Sequence, residues 1–244
     1  MAVHVFPIQS VNASLLGGDS IENAYRMART YLGQRGQSGA TNDKYMQCRD
    51  RNDVERAIDV FLEWAKNQPA LEPKVLWLSL HGKPPGNAAY VGTQGLSAAY
   101  NSETTDPTEV VEWFGTLAKL RGDCPPNVVV VSDVCWGASP TGPARLTAHG
   151  ADNPALFFGP VRTAHRLELD TAAGMIFGLL ARGVIPAADE ARTVVDSLNA
   201  CFPPDEANGN QFYRVWWWDR SGQIHRHPDA PEHRFCAAHV ISQT

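Results

Sequence analysis

The chain alternates two hydrophobic patterns along its length. One is a short, unbroken apolar run, which is typical of a strand buried on both faces of a parallel sheet. The other repeats apolar residues every three or four positions, which is typical of an amphipathic helix. The unbroken runs predict strands near residues 3–8, 45–47, 74–80, 127–132 and 156–158. The helical periodicity predicts helices near residues 21–32, 54–65, 108–120, 167–180 and 189–201.

Strands that alternate with helices in this way predict an α/β fold. We expect a three-layer αβα sandwich with a mainly parallel central sheet. The segment FYRVWWWDRSGQIHRH consists of two extended runs around a turn at 219–222, which predicts a C-terminal β-hairpin. The length suits one domain over residues 1–244, with a core over roughly 3–200 and a hairpin extension over 201–244.

Composition and charge exclude some classes of protein. Hydrophobic residues make up 43% of the 244 residues and charged residues 19%, as in globular proteins. The net charge of -5 gives no electrostatic reason to expect a nucleic-acid partner. No apolar run reaches the roughly 18 residues of a membrane span, so we expect no membrane partner. The first residues lack the features of a secretion signal, which predicts a cytoplasmic protein with reduced cysteines.

Two predicted strands end in residues that a buried strand does not need. The run KVLWLSL continues into His81 and Gly82, and the run of four valines continues into Asp133 and Cys135. Ligands and reactive groups gather beyond the carboxyl ends of parallel strands. An imidazole on one strand end can accept the proton of a thiol on the next, which makes the cysteine a nucleophile. The backbone N–H groups of Gly82 and Cys135 are candidates for binding an oxyanion.

The pair LSLHG and SDVCWG resembles the two signatures of the caspase-like cysteine proteases of clan CD, which include bacterial caspase, metacaspase and CHAT-type homologues. His81 precedes Cys135 by 54 positions, close to the spacing of about 50 in caspases. The resemblance implies that Cys135 is the nucleophile, that His81 is the general acid and base, and that Gly82 contributes to the oxyanion hole. It implies a protein or peptide substrate and no cofactor.

The resemblance also suggests a specificity. Metacaspases carry an aspartate two positions before the cysteine, as Asp133 stands here, and cleave after Arg or Lys. A buried carboxylate that faces a guanidinium accounts for such a preference. We therefore expect Asp133 to bind a basic side chain of the substrate; a turn or capping role is the alternative.

The segment FFGPVRT is similar to one in bacterial CHAT-type and caspase-like proteins, which often act in defence or regulated cell death. It implies such an effector role. Arg162, within this segment, is a candidate substrate contact, with a solvated or salt-bridged Arg162 as the alternative. A domain of this length has no evident sensor region, so a separate sensor or regulatory protein is a further expected partner.

Other interpretations remain open at this stage. Trp136 follows the cysteine where small or polar residues are frequent in the family, and a catalytically silent interaction module could dock a partner through the tryptophans at 216–218. Histidines and a cysteine near the C-terminus are suitable zinc ligands, although we expect no metal site. These residues are His225, His227, His233, Cys236 and His239. Calcium dependence is left open, because acidic loops occur at 50–55 and 103–109.

Overall fold

The computed structural model describes residues 2–10, 46–83, 88–90, 110–112, 120, 123–138, 154–204, 211–219 and 221–229. Ten strands and three helices are described in these ranges. The strands are β1 (His4–Ser10), β2 (Met46–Cys48), β3 (Lys74–Ser79), β4 (His81–Lys83), β5 (Ala88–Tyr90), β6 (Val110–Glu112), β7 (Val128–Ser132), β8 (Leu156–Pro160), β9 (Tyr213–Trp218) and β10 (Ile224–His227). The helices are α1 (Arg51–Lys66), α2 (Arg166–Leu180) and α3 (Ala188–Cys201).

Seven strands form the central sheet, in the order β10-β9-β8-β7-β3-β1-β2. Strands β1, β2, β3, β7 and β8 pair in parallel. Strands β9 and β10 complete one side of the sheet in antiparallel pairing. The prediction of an α/β fold with a mainly parallel central sheet is confirmed.

Strand β7 explains why the sheet carries helices on both faces. Every residue of this strand is buried, so its alternating valines enter two separate cores. Val128 and Val130 belong to the core that contains Phe61 and other residues of α1. Val129 and Val131 belong to the opposite core, which α2 and α3 cover. The three-layer arrangement therefore follows from an apolar run that has no polar face.

Helix α1 begins earlier than its periodicity indicates. Asp50 is the N-cap, and its side chain accepts the backbone N–H of Asp53 at 2.9 Å. The Asp53 carboxylate in turn accepts the N–H of Arg49 at 3.0 Å. The contact of Asp50 is the usual one of an Asp N-cap, and that of Asp53 fixes the chain just before the helix.

A second, antiparallel sheet in the order β4-β5-β6 lies beyond the end of β3. It corrects the prediction of a helix over 108–120, part of which is a strand. Val110–Glu112 is a strand that pairs with Ala88–Tyr90, although Leu120 is helical. Two adjacent β-branched valines fit a paired strand better than a helix. The helix predicted at 21–32 lies outside the described residues.

The predicted hairpin is confirmed as β9 and β10. The carboxylate of Asp219 in the turn accepts the backbone N–H groups of Ser221 at 2.8 Å and Gln223 at 3.0 Å. Strand β9 pairs with β8, so the hairpin adds two strands to the central sheet. None of the helices described is long and apolar enough to cross a bilayer.

Candidate active site

The strand pairing places the two candidate segments side by side. Leu78 of β3 pairs with Ser132 of β7, and the N–H of Asp133 donates to the carbonyl of Leu78 at 2.7 Å. His81 and Cys135 each follow three residues beyond this pair. Since the strands run in parallel, the backbones of the two residues leave the sheet at the same edge.

Gly82 brings the two segments into contact. A Cβ at this position would overlap the carbonyl oxygen of Cys135 and would lie 2.9 Å from its backbone nitrogen. Only glycine allows the backbone after His81 to approach Cys135 this closely. The structure describes His81 through its backbone in β4, and the position of its imidazole lies outside the described residues.

Cys135 lies in a tight turn directly after β7. Within this turn the N–H of Gly137 donates to the carbonyl of Val134 at 2.7 Å. Trp136 has a positive φ of 65°, in the left-handed region that non-glycine residues rarely adopt. Its N–H donates to the carbonyl of Arg162 at 3.2 Å, which ties the turn to the segment after β8. Such backbone strain concentrates at functional sites, at a cost of about 1–3 kcal/mol.

The thiol of Cys135 is partly buried against Ala164. The backbone N–H of Ala164 donates to Sγ at 3.4 Å, and Sγ lies 3.8 Å from the Ala164 carbonyl oxygen. Burial raises the pKa of Cys135, and the Ala164 N–H and the cysteine's own N–H oppose that rise. The sequence carried no sign of Ala164, because the contact uses backbone groups that every residue possesses.

Asp133 is buried on the α2 and α3 side of the sheet. Its Oδ2 accepts the indole N–H of Trp77 at 2.5 Å, whereas Oδ1 has no hydrogen-bond partner among the described residues. Burial raises the pKa of Asp133 to about 7, against the Trp77 hydrogen bond, which lowers it. The hydroxyl of Tyr213 is also buried without a partner in the described part of the chain, and burial and the charge of Asp133 raise its pKa well above the usual value.

Arg162 follows β8 and is only 7% exposed. Its guanidinium pairs with the Glu168 carboxylate at 2.7 Å and lies 4.8 Å from the ring centroid of Phe212. It also donates to the carbonyl of Thr163 at 2.7 Å. The salt-bridged alternative for Arg162 is therefore the arrangement in this structure, and a substrate contact stays a prediction.

The C-terminal polar residues are separate from this site. His225 hydrogen-bonds to Asp219 at 3.0 Å and His227 to Asp196 at 2.6 Å. The other three expected zinc ligands, His233, Cys236 and His239, lie outside the described residues. Within the described ranges no three His, Cys, Asp or Glu side chains cluster in a way that could hold a metal ion.

The tryptophan run supports the sheet. Trp216 is buried, and its indole donates to the carbonyl of Ala138 at 2.9 Å. Trp217 and Trp218 are partly buried and pack against the two cores on opposite faces. This packing explains three consecutive aromatic residues on a strand that is covered on both sides.

Comparisons with known proteins identify the fold. The overall structure is similar to that of a secreted C11 cysteine protease from Bacteroides thetaiotaomicron, which was determined in complex with an irreversible peptide inhibitor. The TM-score is 0.50 and the identity 10%, over 88% of this chain and 66% of that chain. The fold is caspase-like. No protein-family model matches the sequence, and no curated protein matches it either. The chain thus spans just under two thirds of the protease, and the similarity is one of fold.

Replacing Gly82 by alanine tests the contact between the two segments. Because the new Cβ would overlap the Cys135 backbone, we expect the free energy of unfolding to fall by about 1–3 kcal/mol, as in overpacked cores. Gly174→Ala is the control, since nothing lies within 4 Å of a Cβ at this position in α2. Chemical denaturation should show that control unchanged or stabilised by about 0.5–1 kcal/mol. A Gly82→Ala protein as stable as the wild type would contradict the contact.

Replacing Asp133 by asparagine tests the burial of its carboxyl group. Folding raises the pKa of Asp133 to about 7, so the wild type loses stability as the pH rises from about 4 through 7. We expect the free energy of unfolding of Asp133→Asn to rise relative to that of the wild type over this interval, by about 2–4 kcal/mol above pH 7. Urea denaturation at pH 4.5, 6 and 8 measures the difference. Asp123→Asn, at a side chain that is 72% exposed, is the control. A constant difference between Asp133→Asn and wild type at all three pH values would refute the expectation.

Proposed function

We propose that the protein is a cysteine endopeptidase in which Cys135 and His81 form the catalytic dyad. His81 accepts the thiol proton, and the sulfur attacks the carbonyl carbon of the scissile peptide bond. The backbone N–H groups of Gly82 and Cys135 stabilise the resulting oxyanion. His81 then donates its proton to the leaving amine, and water hydrolyses the thioester to release the second product.

The observation that carries this proposal is the backbone contact between Gly82 and Cys135. A glycine that directly follows a histidine lies against a cysteine from another strand, with no room for a Cβ. The raised pKa of the buried thiol supports a need for a base, since the thiol is protonated at neutral pH when left to itself. The caspase-like fold, which the chain has in common with a cysteine protease, agrees with this chemistry.

We further infer that the enzyme cleaves after Arg or Lys. The unpartnered Oδ1 of Asp133 is a buried acceptor, and buried acceptors without partners are uncommon. A basic side chain of the substrate would supply that partner and would favour ionisation of the carboxyl group. The natural substrate is then a protein or peptide with an accessible basic residue. An effector role in bacterial defence or cell death, under a separate regulator, rests on the sequence resemblance alone.

Activity assays with defined variants test the dyad. We expect wild-type protein to cleave fluorogenic peptides with Arg or Lys before the scissile bond. Cys135→Ala and His81→Ala should each lower kcat/KM by at least about a thousandfold. Cys201→Ala, which removes an exposed thiol, should leave the rate unchanged. Full activity in Cys135→Ala would overturn the mechanism.

Labelling with an irreversible peptide ketone distinguishes a cysteine protease from a catalytically silent interaction module. Mass spectrometry should find Cys135 modified and the other cysteines unmodified in folded wild-type protein. The silent module predicts an intact fold in which Cys135 stays unlabelled. The tryptophan run is also less suited to docking a partner than the sequence suggested. Trp216 is buried under the turn that carries Cys135, so its ring is not available at the surface.

Asp133→Asn tests the specificity. Removing the charge should lower kcat/KM for Arg and Lys peptides by about 10- to 100-fold, which is the usual contribution of a hydrogen bond to a charged group. For the wild type, KM for an Arg peptide should fall as the pH rises through about 7, because Asp133 must ionise to bind the guanidinium. Selectivity that is unchanged in Asp133→Asn, or a wild-type preference for Asp, would exclude this role.

A further inference from the structure

An ion pair between Arg162 and Glu168 fixes the backbone segment that contacts the Cys135 thiol. Ala164 lies in the connection between β8 and α2, between Arg162 and Glu168 in sequence. The side chains of those two residues form two contacts, from Nη2 to Oε1 at 2.7 Å and from Nη1 to Oε2 at 3.2 Å. Both side chains are about nine-tenths buried, so the pair is protected from screening by solvent.

Each partner of the pair holds one of the two peptide groups that flank Ala164. The carbonyl of Thr163 belongs to the same planar group as the N–H of Ala164, and it accepts Nη1 of Arg162 at 2.7 Å. The N–H of His165 belongs to the same group as the carbonyl of Ala164, and it donates to Oε2 of Glu168 at 2.7 Å.

The opposite ends of both peptide groups contact the sulfur. The Ala164 N–H lies 3.4 Å from Sγ of Cys135, and the Ala164 carbonyl oxygen lies 3.8 Å from it. In a trans peptide the N–H and the C=O point in opposite directions, so fixing one end of the plane fixes the other. The position of the Arg162 and Glu168 side chains therefore determines how the Ala164 backbone faces the thiol.

We propose that the Arg162–Glu168 ion pair is a positioning device for Cys135, which aims the Ala164 N–H at the sulfur and so stabilises its thiolate. The guanidinium also polarises the Thr163–Ala164 peptide group, because a cation on the carbonyl strengthens the N–H as a donor. As the thiolate forms, the N–H contact becomes charge-assisted and stronger. Arg162 and Glu168 thus act through the backbone, and this role rests on the proposed function of Cys135 as a nucleophile.

Charge and position predict opposite effects for the removal of Glu168. The charged groups that act on the thiol in the described part of the chain are Glu168, which raises its pKa, and Arg162, which lowers it. Loss of the Glu168 charge alone would therefore make Cys135 more reactive. Loss of Glu168 would also remove the partner that holds Arg162 on the Thr163 carbonyl, and Cys135 would become less reactive because the Ala164 N–H would no longer be held against the sulfur.

The experiment measures alkylation of Cys135 by iodoacetamide between pH 6 and 10, with the modified peptide quantified by mass spectrometry. In Glu168→Ala we expect the midpoint to move to higher pH and the rate at pH 7 to fall roughly three- to tenfold. Glu168→Gln also removes the charge but keeps an oxygen that, in the position of Oε2, can accept both the His165 N–H and Nη1 of Arg162. It should lie between wild type and Glu168→Ala, which a pure charge effect would not produce.

Helix α3 offers a matched control. Glu190 accepts both terminal nitrogens of Arg182, and its Oε2 accepts the N–H of Ala187 at 2.9 Å, which repeats the arrangement of Glu168 at the start of α2. Glu190→Ala should therefore lose a similar capping contact and leave the pH profile of Cys135 alkylation unchanged. If Glu168→Ala does not fold, the alkylation profile of Glu168→Gln is compared with that of Glu190→Gln, and this comparison alone tests the proposal.

Two outcomes overturn the proposal: a Glu168→Gln profile that superimposes on the wild type, and one that moves to lower pH. Cleavage of Arg peptides by the same proteins separates this result from the proposed function. A shifted alkylation profile without cleavage by any protein would support the positioning role and refute the peptidase. Cleavage by the wild type, together with an unshifted alkylation profile in the variants, would support the peptidase and refute the positioning role.

Discussion

The pairing of β3 with β7 is the interaction on which the site depends. Four consecutive valines carry no information about which of them faces which layer, so they cannot set the register alone. Polar groups at the two ends of the pair do so. The ammonium of Lys74, 1% exposed, donates to the carbonyl of Pro126 at 3.1 Å at one end, and Trp77 donates to Asp133 at the other. A slip of one residue would break both contacts and would separate Gly82 from Cys135.

Burial keeps the resting site close to neutral. It raises the pKa of the Cys135 thiol and that of the Asp133 carboxyl group, so each tends to hold its proton. The described Arg162–Glu168 pair is charged: burial raises the pKa of Glu168, but the hydrogen bonds from Arg162 and His165, together with the positive charge of Arg162, lower it below its usual value. Among the described residues, the fold thus places an ion pair beside two groups whose ionisation is opposed by burial.

The sequence predicted the parts of this architecture that repeat along the chain. Unbroken apolar runs predicted the parallel strands, and the residues that follow two of those runs predicted His81, Gly82, Asp133 and Cys135 as neighbours. It failed where the outcome depends on partners distant in sequence. Val110–Glu112 became a strand because Ala88–Tyr90 pairs with it, and Asp50 caps α1 although two later residues are equally suitable by type. The contacts of Ala164 use its backbone, for which no residue pattern exists.

The C-terminal hairpin at one side of the central sheet also supports the backbone around Cys135, so a shortened chain would need to keep it. Trp216 donates to the Ala138 carbonyl, just after the turn of Cys135, and the carbonyl of Phe212 accepts the N–H of Val161 at 3.0 Å, next to Arg162. Phe212 also lies under the guanidinium of Arg162. A protein shortened to residue 200 would retain His81 and Cys135 but would lack both supports of the surrounding backbone. The smallest fragment that keeps this backbone supported therefore includes residues 212–218, although none of them belongs to the proposed dyad.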